Sequence, residues 1–320
     1  MNENFYKTAV EQHTLGVDDF QDIFGVPLSN YMKEKINEYN FIYEDVSIDE
    51  HNSYIRKIVE VLLDPVIVKA GEHRREDWEK GWGENLRKIT TASNALLEAT
   101  NPQYFSKYSI LRWKQRFIKP MNKYFERNSL AIILDWLFDR YFRDASAVYE
   151  FGCGTGHNLL HLREVNSKAK LYGLDWAKSS QKIIEELVRK KIANNMYAHQ
   201  FDYFSPDINF KLEKDSIVFT VASLEQIGNR FDAFLSYIFE NRPQLCIHVE
   251  PIAELLDPSN LLDFLSIQYF IKRNYLDGFL TRLRELEKSG HCKIHQTQRT
   301  FIGSFFIEGY SIVIWSPNVK

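Results

Sequence analysis

The sequence has few cysteines, no long hydrophobic run and no excess of charge of one sign. Cys153, Cys246 and Cys292 are an odd number without pairwise or metal-ligand spacing, which excludes a disulfide framework and gives no sign of a metal site. No stretch of ~18 uncharged apolar residues occurs, and the first ten residues lack the apolar core of a signal peptide. We therefore expect a soluble, cytoplasmic protein with no membrane association.

The charges are balanced, with 40 basic and 43 acidic residues and a formal net charge of −3. A globally basic chain would indicate nucleic acid or a membrane surface as a partner, and this chain is not of that kind. With 44% hydrophobic residues among 320, it has enough apolar material for one large domain or two modest ones. Disorder is excluded as the main state.

The pattern of the chain changes near residue 144. Residues 1–143 show helical periodicity interrupted by breakers and no persuasive strand, whereas residues 144–320 alternate strands with amphipathic helices. This alternation predicts a doubly wound α/β domain, and the last two strands follow each other closely enough to form an antiparallel edge pair. The predicted strands are residues 147–151, 169–174, 196–201, 216–222, 244–249, 293–300 and 311–315.

The most informative segment is the glycine-rich turn after the first predicted strand. Gly152, Gly154 and Gly156 alternate with other residues just before a predicted helix. Glycines there allow a sharp turn and the close approach of a ligand to the backbone. A dinucleotide fingerprint would need glycine where His157 stands, and the lysine of a P-loop is missing. The alternative is a tight turn without a ligand.

The pattern Glu150-x-Gly152-x-Gly154-x-Gly156 resembles motif I of class I S-adenosylmethionine-dependent methyltransferases, and the resemblance covers about residues 147–317. It implies a seven-stranded methyltransferase sheet with a terminal antiparallel strand pair, and S-adenosyl-L-methionine as cofactor. By position in the family pattern, Asp175 would accept hydrogen bonds from the ribose and Asp202 would contact the adenine amino group. Glu150 would lie near the methionine ammonium. Taken singly, Asp202 is equally compatible with an ordinary loop aspartate.

Two carboxylates are candidates for the chemistry. Ligands of open α/β sheets lie beyond the carboxyl ends of the strands, where Glu225 and Glu250 follow the fourth and fifth strands. Either could act as a base if burial raised its pKa. The alternative is that one of them caps a helix or binds cofactor. His157, at the start of the motif I helix, has a local packing role or a catalytic one.

Residues 1–143 are expected to form a mostly helical region for substrate recognition and closure of the site, ahead of a methyltransferase domain at 144–320. Residues 73–85 contain two tryptophans and two glycines and predict a loop that is either a lid or a surface turn. Arg112, Arg116 and Lys119 recur at helical steps and predict one basic helix face. That face either binds a phosphate or carboxylate of the substrate or is simply solvated.

The function implied by the resemblance is methyl transfer to an oxygen, less readily a nitrogen, of a small polar and anionic metabolite. A sugar or nucleotide-sugar intermediate is one such acceptor. The Asn-Pro-Pro-aromatic sequence of amino-methylating relatives is replaced by Ala222-Ser223-Leu224-Glu225, which counts against base and amide N-methylation. The alternatives are an RNA or protein methyltransferase and a non-catalytic cofactor-binding protein. The sequence does not set the oligomeric state.

Overall fold

The computed structural model describes residues 11–91, 96–102, 105 and 107–318. The region before residue 144 is mostly helical, but it also contains four short strands that the sequence pattern did not predict. Its elements are, in chain order, β1 (Gln12–Thr14), α1 (Val17–Phe24), α2 (Asn30–Glu38), β2 (Ile42–Asp45), α3 (Ile48–Leu63), α4 (Arg75–Thr91), α5 (Leu96–Ala99), β3 (Leu111–Trp113), β4 (Arg116–Pro120) and α6 (Phe125–Leu137).

The second half alternates strands and helices as the sequence predicts. Its elements are β5 (Ala147–Phe151), α7 (His157–Val165), β6 (Lys170–Asp175), α8 (Lys178–Arg189), β7 (Met196–Gln200), β8 (Ile217–Val221), α9 (Asp232–Asn241), β9 (Leu245–Glu250), α10 (Leu261–Arg273), α11 (Phe279–Lys288), β10 (Cys292–Gln298), β11 (Ile302–Gly303) and β12 (Ser311–Pro317). Seven of the strands form one sheet in the order β10-β12-β9-β8-β5-β6-β7.

The pairing within this sheet confirms the predicted fold class. Neighbouring strands from β9 through β8, β5 and β6 to β7 are parallel, and β12 pairs antiparallel with both β9 and β10. Every residue of β5 and of β8 is buried, as expected for central parallel strands covered by helices on both faces. The amphipathic helix α8 covers one of these faces with Ile183, Ile184 and Leu187.

A second, smaller sheet joins the two halves of the chain. Its strand order is β1-β2-β4-β3-β11, so the C-terminal half contributes one strand to a sheet otherwise built from the N-terminal region. The hydrophobic core is shared as well, because Phe20 and Ile133 belong to the same buried cluster as Val148 and Leu159. The described residues before position 144 therefore pack as part of one structure with the large sheet.

The predicted basic helix face is wrong. Arg112 lies on β3 and Arg116 and Lys119 lie on β4, two strands that pair antiparallel around a two-residue turn. The turn residues Lys114 and Gln115 have φ angles of 46° and 60°, the left-handed conformation that a tight hairpin requires. The hairpin separates residues that a helix would have placed on one face.

The side chains of these three residues are engaged in structural contacts. Arg112 is 3% exposed, Arg116 donates to the hydroxyl of Tyr43 at 2.9 Å, and Lys119 donates to Glu50 at 2.9 Å. The Arg112 guanidinium donates to Ser266 Oγ at 2.6 Å and to the carbonyl oxygens of Leu262, Phe305 and Phe306 at 2.6, 3.3 and 2.8 Å. Arg112, Arg116 and Lys119 therefore do not form a shared basic helix face that could bind an anion.

We predict that Arg112→Met lowers the free energy of unfolding by about 3 kcal/mol or more, because several buried acceptors lose a charged donor. Arg116→Met is the matched control on the same hairpin. The Arg116 side chain is half exposed, so its loss should cost less than about 1 kcal/mol. Urea denaturation of both variants measures the difference, and equal losses would contradict the structural role of Arg112.

Candidate active site

The glycine-rich turn links β5 to α7 in a conformation that only glycine adopts readily. Gly152 and Gly154 have φ angles of 71° and 53°. A Cβ added to Gly152 would lie 2.4 Å from Cβ of Ser223, and one added to Gly154 would lie 2.8 Å from the Trp82 ring. The backbone N–H groups of Gly152 and Cys153 donate to the carbonyl oxygen of Leu174 at 2.7 and 3.0 Å, which fastens the turn to β6.

A cavity that is partly open to solvent lies against this turn, and the empty space within it and at its mouth amounts to about 980 Å³. One wall consists of residues at the carboxyl ends of the parallel strands, and the opposite wall consists of side chains from α4 and α6. This is the place where open α/β sheets bind their ligands. Gly152, Gly154 and Asp175 line it directly.

Asp175 ends β6 and is held by the turn it faces. The carboxyl is 5% exposed, and it accepts the N–H of Gly154 on Oδ2 and the N–H of Ala177 on Oδ1, both at 2.9 Å. Burial raises the pKa of Asp175 to about 6, while these hydrogen bonds act in the opposite direction. A carboxylate has about four acceptor sites, so capacity remains for a ligand's hydroxyl groups.

Glu150 is buried beneath the turn with an unsatisfied oxygen. Its Oε1 accepts from Nδ2 of Asn158 at 2.7 Å, whereas Oε2 is buried and has no hydrogen-bond partner among the described residues. Burial raises the pKa of Glu150 to about 8. Asn158 lines the cavity while Glu150 does not, so the assignment of Glu150 to the methionine ammonium stays a prediction, and Asn158 is the side chain that connects it to the cavity.

Asp202 follows β7, and its carboxylate is engaged by the N-terminal region. It forms an ion pair with Arg75 of α4 and accepts the N–H of Phe204 at 3.0 Å. Its neighbours Phe201 and Tyr203 line the cavity, and Asp202 itself does not. The assignment of Asp202 to the adenine amino group stays a prediction.

The two candidate catalytic acids lie behind the cavity wall. Glu250 is fully buried and accepts three backbone N–H groups, from Ser223 and Leu224 at 3.0 Å and from Glu225 at 3.2 Å. Burial raises its pKa to about 7, but its oxygens are occupied in ordering the turn after β8. This arrangement matches the alternative of a capping role and argues against Glu250 as the base.

Glu225 does not line the cavity either. It accepts a hydrogen bond from Nε2 of Gln226 at 2.8 Å, and burial together with Glu250 raises its pKa to about 8. Ser223 and Gln226 are the polar residues after β8 that line the cavity, beside the apolar Ala222 and Ile227. A catalytic role for Glu225 stays a prediction, and no contact among the described residues supports it.

The segment predicted as a loop at residues 73–85 is helical. It comprises a short 3-10 turn, Glu72–Arg74, and most of α4, with Gly81 and Gly83 inside the helix. The helix forms because Trp78, Trp82 and Ile89 recur at helical steps and pack toward the domain. The rings of Trp78 and Trp82 stack at 5.6 Å, and the Trp82 ring lies against Gly154.

Further contacts hold α4 over the cavity. Glu79 accepts the backbone N–H of Ser179 at 3.2 Å near the start of α8, and Lys190 at the end of α8 donates to the carbonyl oxygen of Ile89 at 2.7 Å. Arg75, besides pairing with Asp202, lies 5.1 Å from the ring of Trp176. The helix therefore covers the glycine turn.

Arg127 of α6 and His161 of α7 line the cavity and have no role in the sequence prediction. His157, for which the sequence left a packing role and a catalytic role open, lines the cavity as well. The spacing of His157 and His161, one helical turn apart, was the available signal. No sequence signal marked Arg127, because its position at the cavity depends on how α6 packs.

We predict that Glu150→Gln stabilises the ligand-free protein increasingly as the pH rises. The folded state holds the Glu150 proton more tightly than the unfolded state, so the associated stability is present below pH 4.5 and is lost as the pH rises toward 8. Between pH 5.5 and 8 the variant should gain about 2 kcal/mol relative to the wild type. Urea denaturation at both pH values measures this, and Glu164→Gln, an exposed acid on α7, is the control. Parallel stability curves for Glu150→Gln and the wild type would be the contrary result.

None of the helices in the described part of the chain combines the length and apolar composition of a membrane span. No model of a protein family and no curated protein sequence matches this chain.

Several solved structures are similar to it. Magnesium protoporphyrin IX methyltransferase from Synechocystis PCC 6803 with bound SAH has a TM-score of 0.47 and 14% identity, over 76% of this chain and 98% of that one. The N-methyltransferase NodS from Bradyrhizobium japonicum WM9 has a TM-score of 0.45 and 9% identity, over 75% of this chain and 100% of that one. At these values the similarity carries no argument about the acceptor or the site residues of this chain. The strand order established above is that of the class I methyltransferase fold.

Proposed function

We propose that this protein is an S-adenosylmethionine-dependent methyltransferase that transfers the methyl group to an oxygen of a small polar metabolite. The observation that carries the proposal is the convergence of the positive-φ glycine turn and Asp175 on one cavity at the carboxyl ends of the strands. The turn closes over a ligand without a Cβ in the way, and Asp175 offers spare acceptor sites to a ribose.

The residues present fit the cofactor. The unsatisfied Oε2 of Glu150 suits a cationic donor such as the methionine ammonium, acting with Asn158 at the cavity wall. Trp176, Phe201 and Tyr203 line the side of the cavity near Asp175 and supply aromatic faces for a purine. When bound, the cofactor supplies a methyl group on a positively charged sulfur. The protein's part is to hold the acceptor in line with that methyl group and to exclude water.

The acceptor is proposed to be a small molecule because the cavity is enclosed by α4 and α6. The sequence indicated an anionic acceptor because Arg112, Arg116 and Lys119 follow a helical spacing. These residues instead lie on two strands and bind structural partners. Arg127 takes its place as a cation lining the cavity, and no carboxylate lies within ion-pair distance of it among the described residues. An anionic group of the acceptor, as in a sugar phosphate or nucleotide sugar, would find its partner there.

Residues before position 144 are proposed to close the site. Trp82 lies on the glycine turn, and the contacts of Arg75 and Glu79 connect α4 to β7 and α8. A helix in that position excludes water from a bound cofactor.

We expect calorimetry to show binding of S-adenosylmethionine and of its demethylated product to the wild type. Asp175→Asn should weaken both about tenfold or more, because a charge-assisted hydrogen bond is lost and an amide N–H₂ replaces one acceptor oxygen. Asp144→Ala, an exposed acid before β5, is the control and should bind normally. Failure of the wild type to bind either compound would refute the proposed function, and unchanged affinity in Asp175→Asn would remove the ribose assignment.

Cofactor binding should also slow limited proteolysis between residues 71 and 83, because a bound cofactor adds contacts for Trp82. In Trp82→Ala this protection should be reduced about tenfold, since one large aromatic contact is missing. Phe264→Ala, which removes a partly exposed ring from α10, should leave the protection intact. Cleavage rates that do not respond to cofactor in the wild type would make α4 an ordinary surface helix.

A further inference from the structure

A histidine and an aspartate meet in the wall of the cavity, on a side that the cofactor contacts proposed above do not use. His161 lies on α7 one turn beyond His157, and both side chains line the cavity. Nε2 of His161 is 2.9 Å from Oδ1 of Asp135 on α6. The Asp135 side chain is completely buried, and its Oδ2 has no partner among the described residues. A buried carboxylate in this position orients the imidazole.

The hydrogen bonds define which nitrogen of His161 carries the proton. The hydroxyl of Tyr31 on α2 donates to the same Oδ1 of Asp135 at 2.7 Å. Burial and the Asp135 carboxylate raise the pKa of Tyr31 far above its usual value, so the tyrosine keeps its proton and Asp135 accepts. Because Oδ1 already accepts the tyrosine hydrogen, it has no hydrogen of its own to donate, and Nε2 of His161 must carry one. Nδ1 is then the nitrogen with the lone pair.

His157 lacks these properties. Burial, together with neighbouring His161 and Arg127, lowers the pKa of His157 to about 4. It is therefore neutral and weakly basic near pH 7, and no described carboxylate lies within ion-pair distance of it. Of the two histidines in the wall, only His161 has a carboxylate as a hydrogen-bond partner among the described residues.

We propose that His161 is the general base of the methyl transfer, that Asp135 positions it, and that the acceptor is an alcohol or a phenol. This inference rests on the proposed function and deepens it. The hydroxyl oxygen forms a bond to the methyl carbon while the carbon–sulfur bond breaks and its electron pair goes to sulfur. The hydroxyl proton passes to Nδ1 of His161, and the positive charge lost from sulfur ends on an imidazolium next to Asp135.

The other side chains of this wall agree with a hydroxyl on an apolar frame. Leu130 and Leu134 of α6 line the cavity near the histidines, and Trp82, Phe105 and Ile227 add further apolar surface. A carboxylate acceptor carries no proton for His161 to remove, so the His161–Asp135 pair would have no role in the transfer. A hydroxyl acceptor needs both the apolar wall and the base.

The first experiment requires no acceptor. Spectra of ¹⁵N-histidine-labelled protein should show one histidine, missing in His161→Gln, as the Nε2–H tautomer. Asp135→Asn should shift that histidine toward the other tautomer. Asp139→Asn is the matched control, because Asp139 also bonds to a residue at the start of α2, Ser29 at 2.6 Å. A His161 that carries its hydrogen on Nδ1 in the wild type would overturn the proposal.

The second experiment uses cofactor with a labelled methyl group and a panel of simple phenols, alcohols, carboxylic acids and amines. The wild type should methylate hydroxyl probes. His161→Gln should lose at least 100-fold in kcat with unchanged cofactor affinity, and added imidazole should restore part of the activity of His161→Gly. Asp135→Asn should lose kcat, and Asp139→Asn should retain it.

The outcomes separate the two proposals. Transfer only to carboxylic acids or amines, no transfer to any probe by a cofactor-binding wild type, or full kcat in His161→Gln would each overturn the hydroxyl-base assignment while cofactor binding stands. Absence of cofactor binding in the wild type would overturn the proposed function, and the tautomer measurement would still decide whether the His161–Asp135 pair exists.

Discussion

The hydrogen bond from the Gly154 N–H to the Asp175 carboxylate is the contact on which the rest of the site depends. It joins the glycine turn after β5 to the end of β6, and it holds the turn in backbone conformations that side-chain-bearing residues avoid. The position of that turn determines where the cavity lies and places Trp82 against the backbone. Asp175 accepts two backbone N–H groups and faces the cavity, so it is a structural group to which the proposed function adds a binding role.

The large sheet was predictable because its central strands, such as β5 and β8, are runs of apolar residues, and because turns and amphipathic helices separate its strands along the chain. The small sheet was not, since β1 to β4 have only three to five residues each, too few to show alternation. Arg112, Arg116 and Lys119 follow a helical spacing in sequence, but the left-handed turn at Lys114 and Gln115 places them on two strands. No sequence rule marks lysine and glutamine for that conformation.

The candidate site was likewise predictable only where it depends on residues close together in sequence or on neighbouring strands. The glycine turn and Asp175 belong to one local strand-turn-helix unit and its neighbouring strand, so the spacing of the glycines and the resemblance to the motif I pattern were enough to identify them as candidates. The position of the covering helix α4 and the His161–Asp135 pair depend on how α4 and α6 pack onto that unit. This packing is decided by contacts between residues far apart in sequence. Gly81 and Gly83 suggested a loop because local glycine preference was visible and the burial of Trp78 and Trp82 was not. Local rules therefore identified the cofactor side of the cavity and missed its opposite wall.

Strand β11 has a consequence for how the protein is made. It is the edge strand of a sheet whose other members lie before residue 121, and it comes from residues 302–303. The Arg112 guanidinium likewise lacks two of its hydrogen-bond acceptors until the carbonyl oxygens of Phe305 and Phe306 are in place. During synthesis on the ribosome the N-terminal region cannot reach its final state until nearly the whole chain has emerged. A nascent chain stopped short of this strand would keep a hairpin with an unpaired edge and a buried arginine without its acceptors, and such a chain is exposed to aggregation and degradation.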